Sequence, residues 1–224
     1  MLKGLIFDFD GLILDTETPI FEAWQKVYND FGCDLPLDLW ISTVGSSEVY
    51  FDPVKYLHSI SHNNIDDTEV MQLYSHYEND LIAKKKILPG ILDLLTYTYN
   101  KGYKLAIASS SPITWVLDLS KKLGIAGYFS CFATKDEVKF TKPHPDLYLL
   151  ALKKLNLDHK EVIALEDSLH GIHAARQAGI FTIAIPANLT QNLDFTAADM
   201  TISDATAINL MDINIRLLTK WQIE

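Results

Sequence analysis

The sequence predicts an α/β fold built on a parallel sheet, with a purely helical segment inserted after the first strand. Three observations predict it. From Ile91 onward, short apolar runs alternate with stretches whose apolar residues recur at helical spacing. The runs KLAIA at 104–108, VIAL at 162–165 and FTIAI at 181–185 are nearly continuous in apolar character, as strands covered on both faces are. Between the first run, Leu5 to Phe7, and all of these, residues 16–86 carry helical spacing and no strand pattern.

The elements follow in order. In the inserted segment, Ile20, Phe21, Trp24, Val27, Tyr28 and Phe31 mark one helix face, closed by Gly32. Residues 36–62 are mixed. Val70, Leu73, Tyr77 and Leu81 mark a second helix over 67–86, and Pro89-Gly90 returns the chain to the body. A helix over 91–101 and a strand over 104–108 follow. Next come a helix over 113–123 closed by Gly124, a strand near 129–133 and a helix over 145–155. The expected series ends with a strand over 162–165, a helix over 168–178 closed by Gly179, a strand over 181–185, a short strand near 200–202 and a helical tail. The division expected is a doubly wound, Rossmann-like core of residues 1–15 and 87–224, with residues 16–86 as an all-helical cap.

Composition narrows the function. The 224 residues are 48% hydrophobic and 21% charged, enough apolar material for a sizeable core. A net charge of -10 opposes nonspecific attraction to nucleic acid or an anionic membrane, so neither is expected as a partner. Cys33 and Cys131 stand isolated, with neither metal spacing nor a disulfide framework. No leader and no run long enough to span a bilayer is read, so a cytoplasmic monomer is expected.

Chemistry concentrates at the strand ends. In open parallel sheets, ligands bind outside the carboxyl ends of the strands. The first strand runs into Asp8, Phe9, Asp10 and Gly11; KLAIA runs into Ser109, Ser110 and Ser111; VIAL runs into Glu166 and Asp167. Asp and Gly also make turns, and Ser111 with Pro112 reads as the cap and first position of a helix. A turn or a cap does not account for four carboxylates on one rim. Such a group needs a counter-charge, and a hard divalent cation, Mg²⁺ before zinc, suits oxygen donors with no Cys or His among them. Lys142, in a loop stiffened by Pro143 and Pro145, is the candidate basic residue; taken alone, it reads first as an exposed loop lysine.

DFDGLILDTE, the serine after KLAIA, KPHPD and LEDSLHGIHAARQAG resemble the four ordered motifs of the haloacid dehalogenase superfamily. Within it, the chain is similar to the β-phosphoglucomutase-like phosphatases, which carry a helical cap between the first two motifs. The resemblance implies Asp8 as a nucleophile that forms an aspartyl phosphate. Asp10 would be the acid for the leaving oxygen and then the base for water. Mg²⁺ would be held by Asp8, the Asp10 carbonyl and Asp167, with Glu166 nearby or as an occasional ligand. Ser109, Ser110 and the following N–H groups would hold phosphoryl oxygens, and Lys142 would neutralise Asp8 and phosphate. Dehalogenases of this superfamily lack the second aspartate, because a halide leaves without a proton, so Asp10 favours phosphoryl chemistry.

The expected activity is Mg²⁺-dependent hydrolysis of a small phosphorylated metabolite such as a sugar phosphate. The alternatives are a phosphomutase of the β-phosphoglucomutase type and a non-catalytic binding protein of the same fold. A mutase must clamp a bisphosphate, a task suited to arginine. Arg176 and Arg216 both lie outside the cap, and Ile20 stands where the mutase pattern has histidine. Hinges are expected near Asp15–Thr16 and Leu88–Gly90. Glu17 either faces the site or serves the helix dipole. His58, His62, His76, His170 and His173 read first as packing or surface residues, Trp24, Tyr28 and Tyr77 as cap core, and Lys84 to Lys86 as a solvated helix end.

Overall fold

A computed structural model describes residues 1–41, 51–61 and 65–222. His62 lies outside the described residues, as does residues 42–50 of the mixed stretch. The chain runs β1 (Gly4–Phe7), α1 (Glu17–Asp30), α2 (Leu37–Ile41), α3 (Pro53–Ile60), α4 (Asp67–Ile82), α5 (Ile91–Asn100) and β2 (Lys104–Ser109). It continues through α6 (Ile113–Lys122), β3 (Cys131–Thr134), α7 (Asp146–Leu155), β4 (Val162–Glu166), α8 (Leu169–Gln177), β5 (Phe181–Ala184), β6 (Met200–Thr201) and α9 (Leu210–Gln222).

The strands form one sheet in the order β3-β2-β1-β4-β5-β6, with every pair parallel. Side chains alternate across it. Leu5, Phe7, Leu105, Ile107, Ile163 and Leu165 face an apolar cluster shared with α5, α6 and α9. Ile6, Ala106, Ala108, Val162 and Ala164 face a second cluster under α7 and α8. Burial on both faces is the reason these strands read as unbroken apolar runs. Strand order reverses at β1, which pairs with both β2 and β4, and this switch point puts the carboxyl ends of all three side by side.

A third cluster joins Phe21, Trp24, Val27 and Tyr28 of α1 to Trp40 of α2, Leu57 of α3 and Val70 of α4. Trp24 stacks on Tyr74 with centroids 4.4 Å apart. Trp24 and Tyr28 are core, and Tyr77 sits at the edge, with its hydroxyl donating to Asp30. Ile20 packs against both this cluster and the largest one.

Two local expectations need correction. Ser111 does not cap α6: its hydroxyl turns away to donate to Asp10, 2.7 Å away, while Asp136 accepts from the Ile113 N–H at 2.6 Å. Pro112 stands at the cap position itself. The helix expected over 67–86 ends at Ile82 rather than at Lys86. Beyond it, Ile87 bridges antiparallel to Leu14, and Lys85 pairs with Asp15 at 2.6 Å. Lys85 is therefore held by a carboxylate between the two connecting segments and is not simply solvated.

Candidate active site

Asp8 follows β1, its N–H donating to the Leu165 carbonyl of β4 at 3.0 Å. That bond sets it beside Glu166, and Asp167 comes next in the chain. Asp8, Glu166 and Asp167 are all buried, and each offers an oxygen within 4.8 Å of the others'. Lys142 reaches in from the loop before α7. Its ammonium pairs with Asp8 and lies 2.5 Å from Glu166 Oε1, and it is 1% exposed. A fully buried lysine requires charged partners.

Glu166 is occupied by the protein. Besides Lys142, Tyr148 Oη of α7 donates to Oε1 at 2.5 Å. The Asp167 N–H, the Ser168 N–H and the Ser168 hydroxyl donate to Oε2 at 3.2, 3.4 and 3.2 Å. Asp167 is the opposite case: both of its carboxylate oxygens are buried with no hydrogen-bond partner. Such an orphaned anion is costly unless a cation completes it. The cluster offers only oxygen donors, and those of Asp167 lack partners. That set fits a hard divalent ion such as Mg²⁺.

The electrostatics agree. Burial pushes the Asp8 carboxyl up to about 8, and Glu166 and Asp10 add to this against the opposing pull of Lys142. Burial, followed by Asp8 and Glu166, pushes the Asp167 carboxyl well above the usual carboxylate range. Burial alone favours a neutral Lys142, but Asp8 and Glu166 outweigh it and hold the ammonium charged. One lysine cannot neutralise this group of acids.

Asp10 is held differently. Oδ1 accepts from Thr16 Oγ1 at 2.9 Å and from Trp115 Nε1 at 2.8 Å. Oδ2 accepts from Ser109 Oγ at 3.2 Å and from Ser111 Oγ at 2.7 Å. Ser109 is buried and its hydroxyl also accepts from the Ser111 N–H at 3.0 Å. Ser110 lies between them on the same rim and has an interaction of its own. Gly11, at φ +87°, brings the loop backbone against Asp167: a Cβ there would lie 2.0 Å from Oδ2.

The predicted residues Asp8, Glu166, Asp167 and Lys142 thus meet in one cluster, and Asp10, Ser109 and Ser111 meet beside it. Glu17 is partly exposed; burial and the carboxylates of Asp10, Asp8 and Asp15 push its carboxyl up to about 8. His58 pairs with Asp67 at 2.6 Å, and His76 lies 3.9 Å from Asp80, both on the surface. Sequence reasoning missed Trp115 and Tyr148. A buried phenol on an apolar helix face needs a partner, which was the available signal for Tyr148. For Trp115 no signal in the sequence names Asp10.

The doubly wound parallel sheet, with a buried acidic cluster and Lys142 at its switch point, defines an α/β protein of the Rossmann-like class. Residues 5–185 match the haloacid dehalogenase-like hydrolase family, and the chain belongs to it. Protein YhcW of Bacillus subtilis (strain 168) is 36% identical over 210 residues, covering 94% of this chain and 95% of its own. The phosphorylated carbohydrates phosphatase of Thermotoga maritima is 33% identical over 187 residues, covering 80% and 82%. The crystal structure of CbbY from Rhodobacter sphaeroides in complex with phosphate superposes with a TM-score of 0.74 at 25% identity, covering 92% of this chain and 96% of that one.

Proposed function

We propose that this phosphoric monoester hydrolase is a Mg²⁺-dependent phosphatase of small phosphorylated carbohydrates that works through an aspartyl phosphate on Asp8. The observation that carries the reading is the buried group of Asp8, Glu166 and Asp167 around Lys142, with both Asp167 oxygens unpartnered. Asp8, the Asp10 carbonyl and Asp167 would hold the ion. When bound, it supplies positive charge to the acids and to the phosphate oxygens. Glu166, engaged by its donors, holds Lys142 in place.

A carboxylate oxygen of Asp8 attacks phosphorus, and the bond from phosphorus to the sugar oxygen breaks. The electron pair goes to that oxygen, which takes a proton from Asp10. Water then attacks the aspartyl phosphate, Asp10 takes its proton, and phosphate leaves with the Asp8 carboxylate restored. Ser109, Ser110 and the N–H groups that follow cradle the phosphoryl oxygens, and Lys142 offsets the charge on Asp8 as phosphate approaches. Residues 16–86 act as the cap over a core of 1–15 and 87–224. They exclude water from the first step and contact the sugar.

Simple hydrolysis is favoured over a mutase. Arg176 pairs with Asp199 and Arg216 with Asp212, both away from the cap, and Ile20 is committed to packing. The similarity to the Thermotoga phosphatase supports a carbohydrate phosphate as substrate. A panel of phosphorylated metabolites, assayed for phosphate release with and without Mg²⁺, tests the reading. Mg²⁺-stimulated release from sugar monophosphates is expected. No release across the panel, or net isomerisation of β-glucose 1-phosphate outpacing release, overturns it.

A further inference from the structure

We propose that Trp115 is a positioning residue for Asp10: its indole N–H pins Oδ1 and leaves Oδ2 as the oxygen presented to the leaving group. The inference rests on the reading of Asp10 as the acid. Of the donors to Asp10, Thr16, Ser109 and Ser111 are hydroxyls. A hydroxyl turns about one bond and can donate or accept. Trp115, bonded to Oδ1 at 2.8 Å, is the exception, because an indole N–H only donates. Its ring is half-buried on α6 and packs against the largest apolar cluster, so its direction is set by the core and not by the site.

The two sides of the carboxyl are therefore unequal. Oδ1 faces the Thr16 hydroxyl and, beside it, an indole donor that cannot reverse, so one of its two bonds is always an accepted one. Oδ2 faces Ser109 and Ser111, whose hydroxyls can rotate to receive a proton or release it toward an ester oxygen. As the phosphorus–oxygen bond breaks, the Oδ2 proton passes to the sugar oxygen that holds the departing electron pair. Without Trp115, Asp10 keeps its hydroxyl partners but loses the fixed reference that aims it, and misaimed acids lose rate in the step that needs a proton.

Leaving-group dependence tests this. Nitrophenolate departs readily without a proton, whereas a sugar alkoxide does not. Trp115→Phe and Asp10→Asn are compared with wild type on p-nitrophenyl phosphate and on the sugar monophosphate that wild type hydrolyses best. The readout is kcat/KM, which reports the steps up to departure of the leaving group and not the water step common to both esters; for Trp115→Phe it is expected to fall about tenfold on the sugar phosphate and to stay within about twofold on the nitrophenyl ester. Asp10→Asn should show the same bias more strongly. Should phenylalanine leave the protein unfolded, site-specific benzothienylalanine at position 115 keeps the ring without its N–H and serves the same test. Equal losses on both esters, or an unchanged or faster sugar-phosphate rate, overturn the role of Trp115 while a biased Asp10→Asn leaves the acid reading standing. No bias in Asp10→Asn removes both.

Discussion

The Lys142 ammonium sits between the carboxylates of Asp8 and Glu166, with almost no access to solvent. Removing one partner of a buried ionic group leaves the others uncompensated and costs about 3–5 kcal/mol. Lys142→Met is expected to lose stability of that order in urea titrations of the metal-free protein, and to lose turnover. A variant as stable as wild type would mean that the lysine does not neutralise these acids.

Gly11 lies directly against the Asp167 carboxylate. Gly11→Ala puts a Cβ into the Asp167 carboxylate and places alanine at φ +87°, where backbone strain alone costs about 1–3 kcal/mol. Reduced stability together with a larger Mg²⁺ requirement is expected, read by thermal unfolding and by activity against Mg²⁺ concentration. Weakened Mg²⁺ activation should therefore accompany the strain. A stability loss with unchanged Mg²⁺ dependence would show that Asp167 does not hold the ion.

Mg²⁺ should stabilise the wild-type fold, because a ligand that binds only the native state adds stability by mass action. At a concentration 100-fold above its dissociation constant, the gain is about 2.7 kcal/mol. In Asp167→Asn, which removes an unpartnered anion, the metal-free protein is expected to gain stability while the Mg²⁺-induced rise in Tm shrinks or disappears. An undiminished rise in that variant would move the ion to other ligands.

Glu17 makes stability depend on pH. Its folded-state value, about 8 against an ordinary 4.5, arises chiefly from burial and then from Asp10, Asp8 and Asp15. The folded state therefore binds the extra proton between those values, and this contribution to stability is present at low pH and lost as pH rises through the window. Glu17→Gln is expected to match wild type near pH 5 and to exceed it in Tm near pH 8. Equal pH slopes for the two proteins would show that Glu17 is ionised throughout.

The sheet and the acidic rim were legible because they follow from local rules. Continuous apolar runs mark doubly covered strands, and the strand ends name Asp8, Asp10, Ser109, Glu166 and Asp167. Lys142 was legible only as a candidate: the acids' need for a counter-charge and the loop stiffened by Pro143 and Pro145 pointed to it, but a loop lysine reads the same exposed or buried. Trp115 and Tyr148 went unread because their partners are 105 and 18 residues away and are chosen by tertiary packing. Ser111 was misread for the opposite reason. Its cap signature is a true local preference, but Asp10, brought in from 101 residues away, claims the hydroxyl. Lys85 pairs with Asp15, 70 residues away, by the same kind of long-range choice.

The most direct test asks whether phosphate passes through the Asp8 side chain. Enzyme mixed with excess sugar monophosphate and Mg²⁺ is quenched during turnover, treated with borohydride, digested and analysed by peptide mass spectrometry. Reduction of an acyl phosphate at position 8 to homoserine, together with loss of turnover in Asp8→Asn, is the predicted result. Unmodified Asp8 throughout turnover, with Asp8→Asn still releasing phosphate, would contradict the account.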